Sequence, residues 1–165
     1  MRLVLSFALM LSVPLGAHAQ TARIDRVDVF EYGIYQAEKT KQTDAGVVAG
    51  HLNTVENIQN KEVTRNVPAR SGVRFGFRYK VIGEPDGAQV SMTVVHKFPK
   101  QGLRRPGTAE TVYREEYVTT KMIGKESYTG YHFEQNWESI PGVWILELWY
   151  KGKKLAEQSF DVVKR

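Results

Sequence analysis

A two-residue alternation of apolar and polar side chains constrains the fold of this chain more than any other feature. The clearest example spans residues 73–81, where the apolar positions are Val73, Phe75, Phe77, Tyr79 and Val81. Arg74, Arg78 and Lys80 lie between them. A period of two sends successive side chains to opposite faces of a β-strand. This segment is therefore predicted to be a strand with one buried face and one basic face.

Further segments of the same kind are separated by turn-forming residues. The predicted strands are 24–35, 73–81, 90–95, 112–120, 128–137, 142–150 and 155–163. The turn formers of 83–87 predict that 73–81 and 90–95 pair as a hairpin. Lys151 and Gly152 suit a two-residue turn between the last two strands, because Gly tolerates positive φ.

The strand pattern predicts an all-β, single-domain antiparallel β-sandwich with immunoglobulin-like topology. About seven short strands with turns at intervals of roughly ten residues are typical of that fold. The exact topology stays open, because the Cys…Trp…Cys pattern of true immunoglobulin domains is missing. Residues 38–70 are predicted to be a polar loop followed by one or two irregular strands, since Asn53, Asn57 and Asn60 disfavour a helix.

Residues 1–19 have the composition of a cleaved secretory signal. Arg2 supplies a positive start, an apolar run follows over 3–13, and Ala17 and Ala19 are small residues suited to a cleavage site. The mature domain is then expected to be 20–165, exported to a bacterial periplasm, with an extracellular location as the alternative. That mature chain contains no second long apolar segment, so the sequence predicts no transmembrane span in it.

The chain contains no cysteine, which narrows both chemistry and anchoring. Disulfides, thiol catalysis, cysteine-ligated zinc and a lipid-modified cysteine are all excluded. The net charge is +5, and the excess is spread along the sequence. Such a charge favours acidic envelope components as partners over nucleic acid.

Several short motifs resemble a known family. They are Phe75-Gly76-Phe77-Arg78-Tyr79, Phe98-Pro99, Trp137-Glu138, Pro141-Gly142-Val143-Trp144 and the ending Lys154-Leu155-Ala156-Glu157…Phe160-Asp161-Val162. In this order and spacing, over roughly residues 25–163, they resemble a family of short exported bacterial domains of unknown function. The resemblance implies a small exported β-sandwich and carries over no catalytic residue.

No metal, cofactor or catalytic site is predicted. His51, His96 and His132 lack the spacing of metal ligands, and His96 is expected at the inner end of its strand. Glu115 and Glu116 should point to opposite faces of a strand, so they would not act as a catalytic pair. A hydrolase would instead need a cleft lined by two nearby carboxylates, or by His96 with a serine and an acid.

One candidate contact surface is a basic loop. Lys97, Lys100, Arg104 and Arg105 lie within nine residues, and the last three lie between Pro99 and Pro106. Such a loop could contact anionic lipid or polysaccharide, although a solvated loop is the simpler interpretation.

A second candidate surface lies on the strand 142–150, where both faces are largely apolar. Trp144, Leu146, Leu148 and Tyr150 form the predicted core face, and Val143, Ile145, Glu147 and Trp149 form the other. A two-layer sandwich buries only one face of each sheet, so the second face needs a cover: residues 38–70, another copy or a ligand. Burial of Glu147 would require a Lys or Arg partner.

These features lead to three functional hypotheses. The first is a non-enzymatic binding or interaction module for a protein partner, for self-association or for an envelope component. The second is a hydrolase acting on envelope sugars or peptides. The third is a structural or stress-related envelope protein.

Overall fold

The computed structural model describes residues 21–164, so the predicted signal at 1–19 lies outside the described residues. These residues form nine strands: β1 (Arg23–Asp44), β2 (His51–Glu62), β3 (Asn66–Pro68), β4 (Arg74–Glu84), β5 (Gln89–Lys97), β6 (Arg114–Met122), β7 (Glu126–His132), β8 (Gly142–Tyr150) and β9 (Lys153–Val163). Within 21–164, no helix is long and apolar enough to cross a membrane.

The strands form two sheets packed face to face. One sheet has the order β2-β1-β4-β7 and the other β3-β9-β8-β5-β6. Every pairing is antiparallel except that between β3 and β9. The predicted all-β sandwich is confirmed, and β8 and β9 are joined at Lys151 and Gly152, both with positive φ.

The core lies between the sheets and is rich in aromatic side chains. Phe75 on β4 is fully buried, and its ring centroid lies 5.8 Å from that of Trp144 on β8 and 5.1 Å from that of Phe160 on β9. The alternation that predicted β4 places Phe77, Tyr79 and Val81 on the same buried face. Aromatic contacts across the two layers thus hold the sheets together.

The predicted hairpin between residues 73–81 and 90–95 is wrong. β4 pairs with β1 and β7 in one sheet, whereas β5 pairs with β6 and β8 in the other. The turn region between them therefore crosses from sheet to sheet. An alternating pattern fixes which face of a strand is buried, but not which strand lies beside it. The apolar faces of two strands are buried equally well when the strands pair in one sheet and when they lie in opposite sheets across the core.

Residues 38–70 are more regular than the predicted polar loop. β1 continues to Asp44 and pairs with β2, with register shifts near Tyr35, Gln36 and Lys39. Because β1 pairs with β4 only as far as Tyr35, the ribbon formed by residues 36–60 extends past the sheet. We call this ribbon the arm. At its base, Gly33 has φ +140°, and a Cβ there would lie 1.9 Å from the Glu62 carbonyl oxygen.

Truncating the central aromatic residue should expose how much the fold depends on this core. We expect Phe75→Ala to lower the free energy of unfolding by about 3–5 kcal/mol, because it leaves a cavity where several rings meet. Urea denaturation measures the change. Phe30→Ala is the matched control, because that side chain is 49% exposed and should cost less than about 1 kcal/mol. Equal losses in the two variants would contradict this description of the core.

Candidate functional site

A cleft of about 620 Å³ lies where the two sheets leave one flank of the sandwich open. β6 ends one sheet and β7 ends the other, and residues 123–125 join them. The arm forms the third wall, contributing residues from Thr43 to Ile58. The cleft is therefore bounded by two edge strands and a ribbon that closes over them.

The inward rows of β6 and β7 that wall the cleft are mainly polar, although they continue the inner faces of the sheets. β6 alternates in step with its neighbour β5, with Glu115 opposite His96 and Tyr117 opposite Val94. The inward positions of the two edge strands are Glu115, Tyr117, Thr119 and Lys121 on β6, and Ser127, Thr129 and Tyr131 on β7. Burial raises the pKa of Tyr117 to about 12 and lowers the pKa of Lys121.

His96 and Glu115 form a buried ion pair or hydrogen bond at one end of the cleft. His96 Nδ1 lies 2.9 Å from Glu115 Oε1, and both side chains are almost fully buried. The other carboxylate oxygen accepts a 2.8 Å hydrogen bond from the Val48 backbone N–H at the tip of the arm. Glu115 thus ties β5, β6 and the arm together. His96 was expected at the inner end of its strand, and it lies there.

Glu134, just after β7, forms a second junction with the arm. Its carboxylate lies 2.8 Å from His51 Nε2, accepts a 3.1 Å hydrogen bond from Asn53 Nδ2 and lies 3.4 Å from Lys39 Nζ. Burial works to raise the pKa of Glu134, but the hydrogen bond to His51 and the charge of Lys39 outweigh it and lower the pKa. The part of the arm next to its tip is thereby fastened to the end of β7.

His132 completes this junction from the outer face of β7. Its Nδ1 lies 3.5 Å from Glu134 and 3.2 Å from Arg74 Nη2 on β4. Burial and the positive charge of Arg74 lower the pKa of His132, which favours its neutral form. A neutral imidazole accepts the hydrogen bond from the guanidinium.

All three histidines of the expected mature chain line the same cleft, which the sequence analysis missed. They come from β2, β5 and β7, and no short-range spacing links them. Among residues 21–164, no group of three or more His, Cys, Asp or Glu side chains is arranged to hold a metal ion.

The cleft also contains the kinds of groups that the hydrolase hypothesis required. Glu138 lies at the cleft wall, where the Tyr131 hydroxyl donates a 3.2 Å hydrogen bond to it and burial raises its pKa. Glu115 supplies an acid to His96, and Ser127 also lines the cleft. Within the described residues, however, His96 Nε2 is buried and has no hydrogen-bond partner, so no serine is joined to it. Glu116 is exposed, which places it on the face opposite Glu115 as predicted.

The four basic side chains of the predicted loop lie in different surroundings and do not form one cluster. Lys97 Nζ lies 2.7 Å from Glu147 on the outer face of its sheet. Arg104 donates to the Ala109 carbonyl, and Arg105 lies close to Gly50 in the arm. Lys100 is exposed. The role of Lys97, Lys100, Arg104 and Arg105 in anion contact stays a prediction.

The outer face of β8 is organised around a buried carboxylate. Glu147 is 0% exposed, and its oxygens lie 2.7 Å from Lys97 Nζ and 3.4 Å from Lys154 Nζ. The Trp149 indole N–H also donates to it at 2.8 Å. Burial works to raise the pKa of Glu147, but these donors outweigh it and lower the pKa to about 2. The cationic partners that its burial required are therefore present.

The rest of that predicted surface is only partly covered. Val143 is 51% exposed, whereas Ile145 and Trp149 are half-buried. Trp149 is engaged with Glu147, so its substitution would disturb the ion pair as well as the surface. Use of Val143, Ile145, Glu147 and Trp149 as an interaction surface stays a prediction.

The architecture defines the chain as an immunoglobulin-like β-sandwich with a polar cleft on one flank. It is similar to the solved structure of an immunoglobulin-like protein, PA1606, from Pseudomonas aeruginosa. The TM-score is 0.60 at 28% sequence identity, covering 90% of this chain and 100% of that chain. The predicted fold class is confirmed by this likeness.

The chain belongs to the family DUF3859, a domain of unknown function, which matches residues 23–162. This confirms the resemblance to a bacterial β-sandwich family of unknown function. A comparison with curated proteins gives no match.

The stability contribution of Glu147 should depend on pH. Because folding lowers its pKa from 4.5 to about 2, the contribution is complete above pH 4.5 and is lost as the pH falls toward 2. We expect Glu147→Gln to cost roughly 1–3 kcal/mol at pH 7, with a smaller difference from the wild type at pH 3. Urea denaturation at several pH values measures this. Glu116→Gln, which alters an exposed carboxylate, should cost less than about 0.5 kcal/mol; a pH-independent Glu147 effect would contradict the assignment.

Removal of Glu134 should release the arm without unfolding the core. We expect Glu134→Ala to speed amide hydrogen exchange about tenfold or more at residues 48–55, because several contacts of the arm are lost together. Exchange in β8 should stay unchanged. Glu110→Ala, at an exposed loop position, is the control. Unaltered exchange in the arm would show that Glu134 does not fasten it.

Proposed function

We propose that this protein is an exported, non-enzymatic binding module whose ligand site is the cleft between β6, β7 and the arm. The observation that carries the proposal is the polarity of the inward rows of β6 and β7, positions that in a sandwich would normally be apolar core. Tyr117, Thr119 and Lys121 extend the inner face of β6 into a space of about 620 Å³. That volume lies within the usual range of small-ligand sites.

Buried polar atoms without partners add to the support. His96 Nε2 and Asn53 Oδ1 both belong to cleft residues, are buried and have no hydrogen-bond partner among residues 21–164. Burial of such atoms is costly unless something bonds to them. A bound polar ligand would satisfy them, and the neighbouring tyrosine rings would provide packing surfaces.

The outer face of β8 is the alternative contact surface for a protein partner or a second copy. Val143 is its most exposed apolar side chain, but Glu147 is already neutralised by two lysines and holds Trp149. This face therefore has fewer groups that need a partner than the cleft has. A purely structural or stress-related role in the envelope would leave both surfaces without a ligand.

Hydrolysis of envelope sugars or peptides is the second candidate function, and one observation favours it. The pairing of His96 with Glu115 at 2.9 Å orients an imidazole at the cleft wall, as a general base requires. Turnover of such a substrate that disappears in His96→Ala would replace the binding proposal. Binding without turnover favours the module.

A cleft-filling variant tests the proposed site. Muropeptides, lipopolysaccharide-derived oligosaccharides and random-sequence heptapeptides are titrated against the protein, with backbone amide shifts recorded by NMR. We expect at least one probe to shift amides of β6 and β7. Thr119→Trp, which places an indole in the cleft, should weaken that probe at least tenfold, since it removes the space the ligand occupies.

Val143→Ser is the matched control on the other candidate surface. It should leave affinity within about twofold, because Val143 lies outside the cleft lining. Thermal unfolding confirms that both variants fold. Binding that is lost in Val143→Ser and kept in Thr119→Trp would move the site to the outer face of β8, and no response to any probe would contradict the proposal.

A further inference from the structure

The sheets formed by residues 21–164 have four edges, and at two of them the edge strand is itself short or irregular. β3 is three residues long, and β2 pairs with β1 through repeated register shifts. Short and irregular edge strands are common protections against unwanted pairing. β6 and β7 are seven residues or longer, and their pairing registers show no shift. Their central stretches, 117–120 and 127–131, contain neither proline nor a charged residue.

The hydrogen bonds at the ends of β6 show which of its backbone groups lie on the free edge. Phe98 N–H donates to the Tyr113 carbonyl, and Ile123 N–H donates to the Ala88 carbonyl. The register between these two bonds is uninterrupted. Because residues two apart point their backbone groups the same way, the odd-numbered residues of β6 face β5. Glu116, Val118 and Thr120 therefore direct their N–H and C=O groups away from the sheet.

The same reasoning applies to β7. Phe133 N–H donates to the Val73 carbonyl, and the register with β4 is continuous. Its free-edge backbone groups thus belong to Tyr128, Gly130 and His132. Both strands border the cleft with unbroken runs of residues, 117–121 and 126–132. Consecutive side chains of a strand point to opposite faces, so an unbroken run includes side chains from both faces. The edge of the strand itself therefore lines the cleft.

From this arrangement we infer that the cleft binds an extended segment of a partner polypeptide, which adds to the edge of β6 as an extra strand. The inference rests on the proposed function and specifies its ligand. Strand addition is a recognised mode of peptide binding in which main-chain hydrogen bonds supply affinity. Outward N–H and C=O groups recur every second residue, about 6.8 Å apart, which matches the repeat of an added β-strand.

β6 is a better template than β7 because its free-edge residues are less engaged. On β7, the Tyr128 hydroxyl donates to the Phe75 carbonyl, and His132 is held by Glu134 and Arg74. On β6, Val118 is 68% exposed. An added strand would cover this apolar side chain through a cross-strand contact.

Lys121 indicates the chemistry of the bound segment. It lies at the end of the inward row of β6, is half-buried, and has no carboxylate within 4.0 Å among the described residues. A partly desolvated ammonium is stabilised by an opposite charge. The bound peptide is therefore expected to carry an acidic residue opposite Lys121.

Proline substitution at the free edge tests the inference. A heptapeptide selected from a random display library on the purified protein serves as the probe. Thr120→Pro removes one outward N–H and leaves the ladder to β5 intact, so we expect it to weaken the peptide about tenfold. Thr120→Ala, which keeps the N–H, should change affinity less than about twofold. Lys121→Met should reduce the preference for acidic heptapeptides.

Peptide variants keep the test decisive if Thr120→Pro fails to fold. Two methylated versions of the selected heptapeptide are made. One is N-methylated on every second backbone nitrogen, and the other on the remaining backbone nitrogens. We expect only one version to lose binding, because an added strand bonds β6 through every second residue. Equal affinity for both versions, or for the Pro and Ala variants, would overturn strand addition. So would a selection that yields no peptide. If an oligosaccharide then binds and Thr119→Trp abolishes that binding, the cleft remains the proposed ligand site, and a peptide is excluded as its ligand.

Discussion

The contact between Tyr131 and Trp144 is the point on which both the core and the cleft depend. Their ring centroids lie 4.9 Å apart and join the edge strand of one sheet to the centre of the other. On one side, Trp144 packs against Phe75 and Phe133. On the other, Tyr131 lies 5.5 Å from His96 at the cleft wall. One aromatic layer thus fixes the separation of the sheets and also forms the floor of the site.

The change from apolar to polar side chains along one inner face separates the core from the site. In the central strands the inward residues are apolar, such as Phe77 on β4 and Leu148 on β8. On β6 the inward positions are Glu115, Tyr117, Thr119 and Lys121. A fully closed sandwich would have to bury all of these groups, at a cost of several kcal/mol for an unpaired charge. Glu115 is buried against His96, and the open flank lets Tyr117, Thr119 and Lys121 remain partly hydrated. The composition of β6 and the presence of a cleft therefore require each other.

Local pattern predicted the strands, but it did not predict which strands are neighbours. The alternation at 73–81 identified β4, because burial of one face imposes a period of two on a strand. β8 was identified from a short, largely apolar run at 142–150 that is bounded by turn formers. β8 was predicted with the bounds Gly142–Tyr150 that the structure shows. Strand pairing depends on contacts distant in sequence, and this is why β4 was wrongly joined to β5. The arm was missed because a solvated ribbon has no continuous apolar face to detect.

The site was less predictable than the fold for the same physical reason. Glu147 could be identified from the sequence, since a carboxylate within an apolar face needs a cation and Lys97 lies one strand away. The gathering of His51, His96 and His132 had no such signal, because the three lie on different strands and no short-range spacing links them to one another. The alternation along β6 did contain a signal. Polar residues at the inward positions of a strand imply that the strand does not face a filled core.

The arm and the two regular sheet edges have one explanation if the flank must remain open and must also be shielded from non-specific strand pairing. An unshielded pair of regular edges would offer every exposed chain a template for pairing, which favours aggregation. The arm restricts that access, because Val48 is bonded to Glu115 and His51, next to the tip of the arm, is held by Glu134. A flank closed completely by a tenth strand would leave no room for the polar residues of β6. A ribbon fastened by a few polar contacts leaves a cleft of about 620 Å³ beside the edge of β6. Shielding from non-specific pairing and access for the proposed segment are therefore compatible with the same geometry.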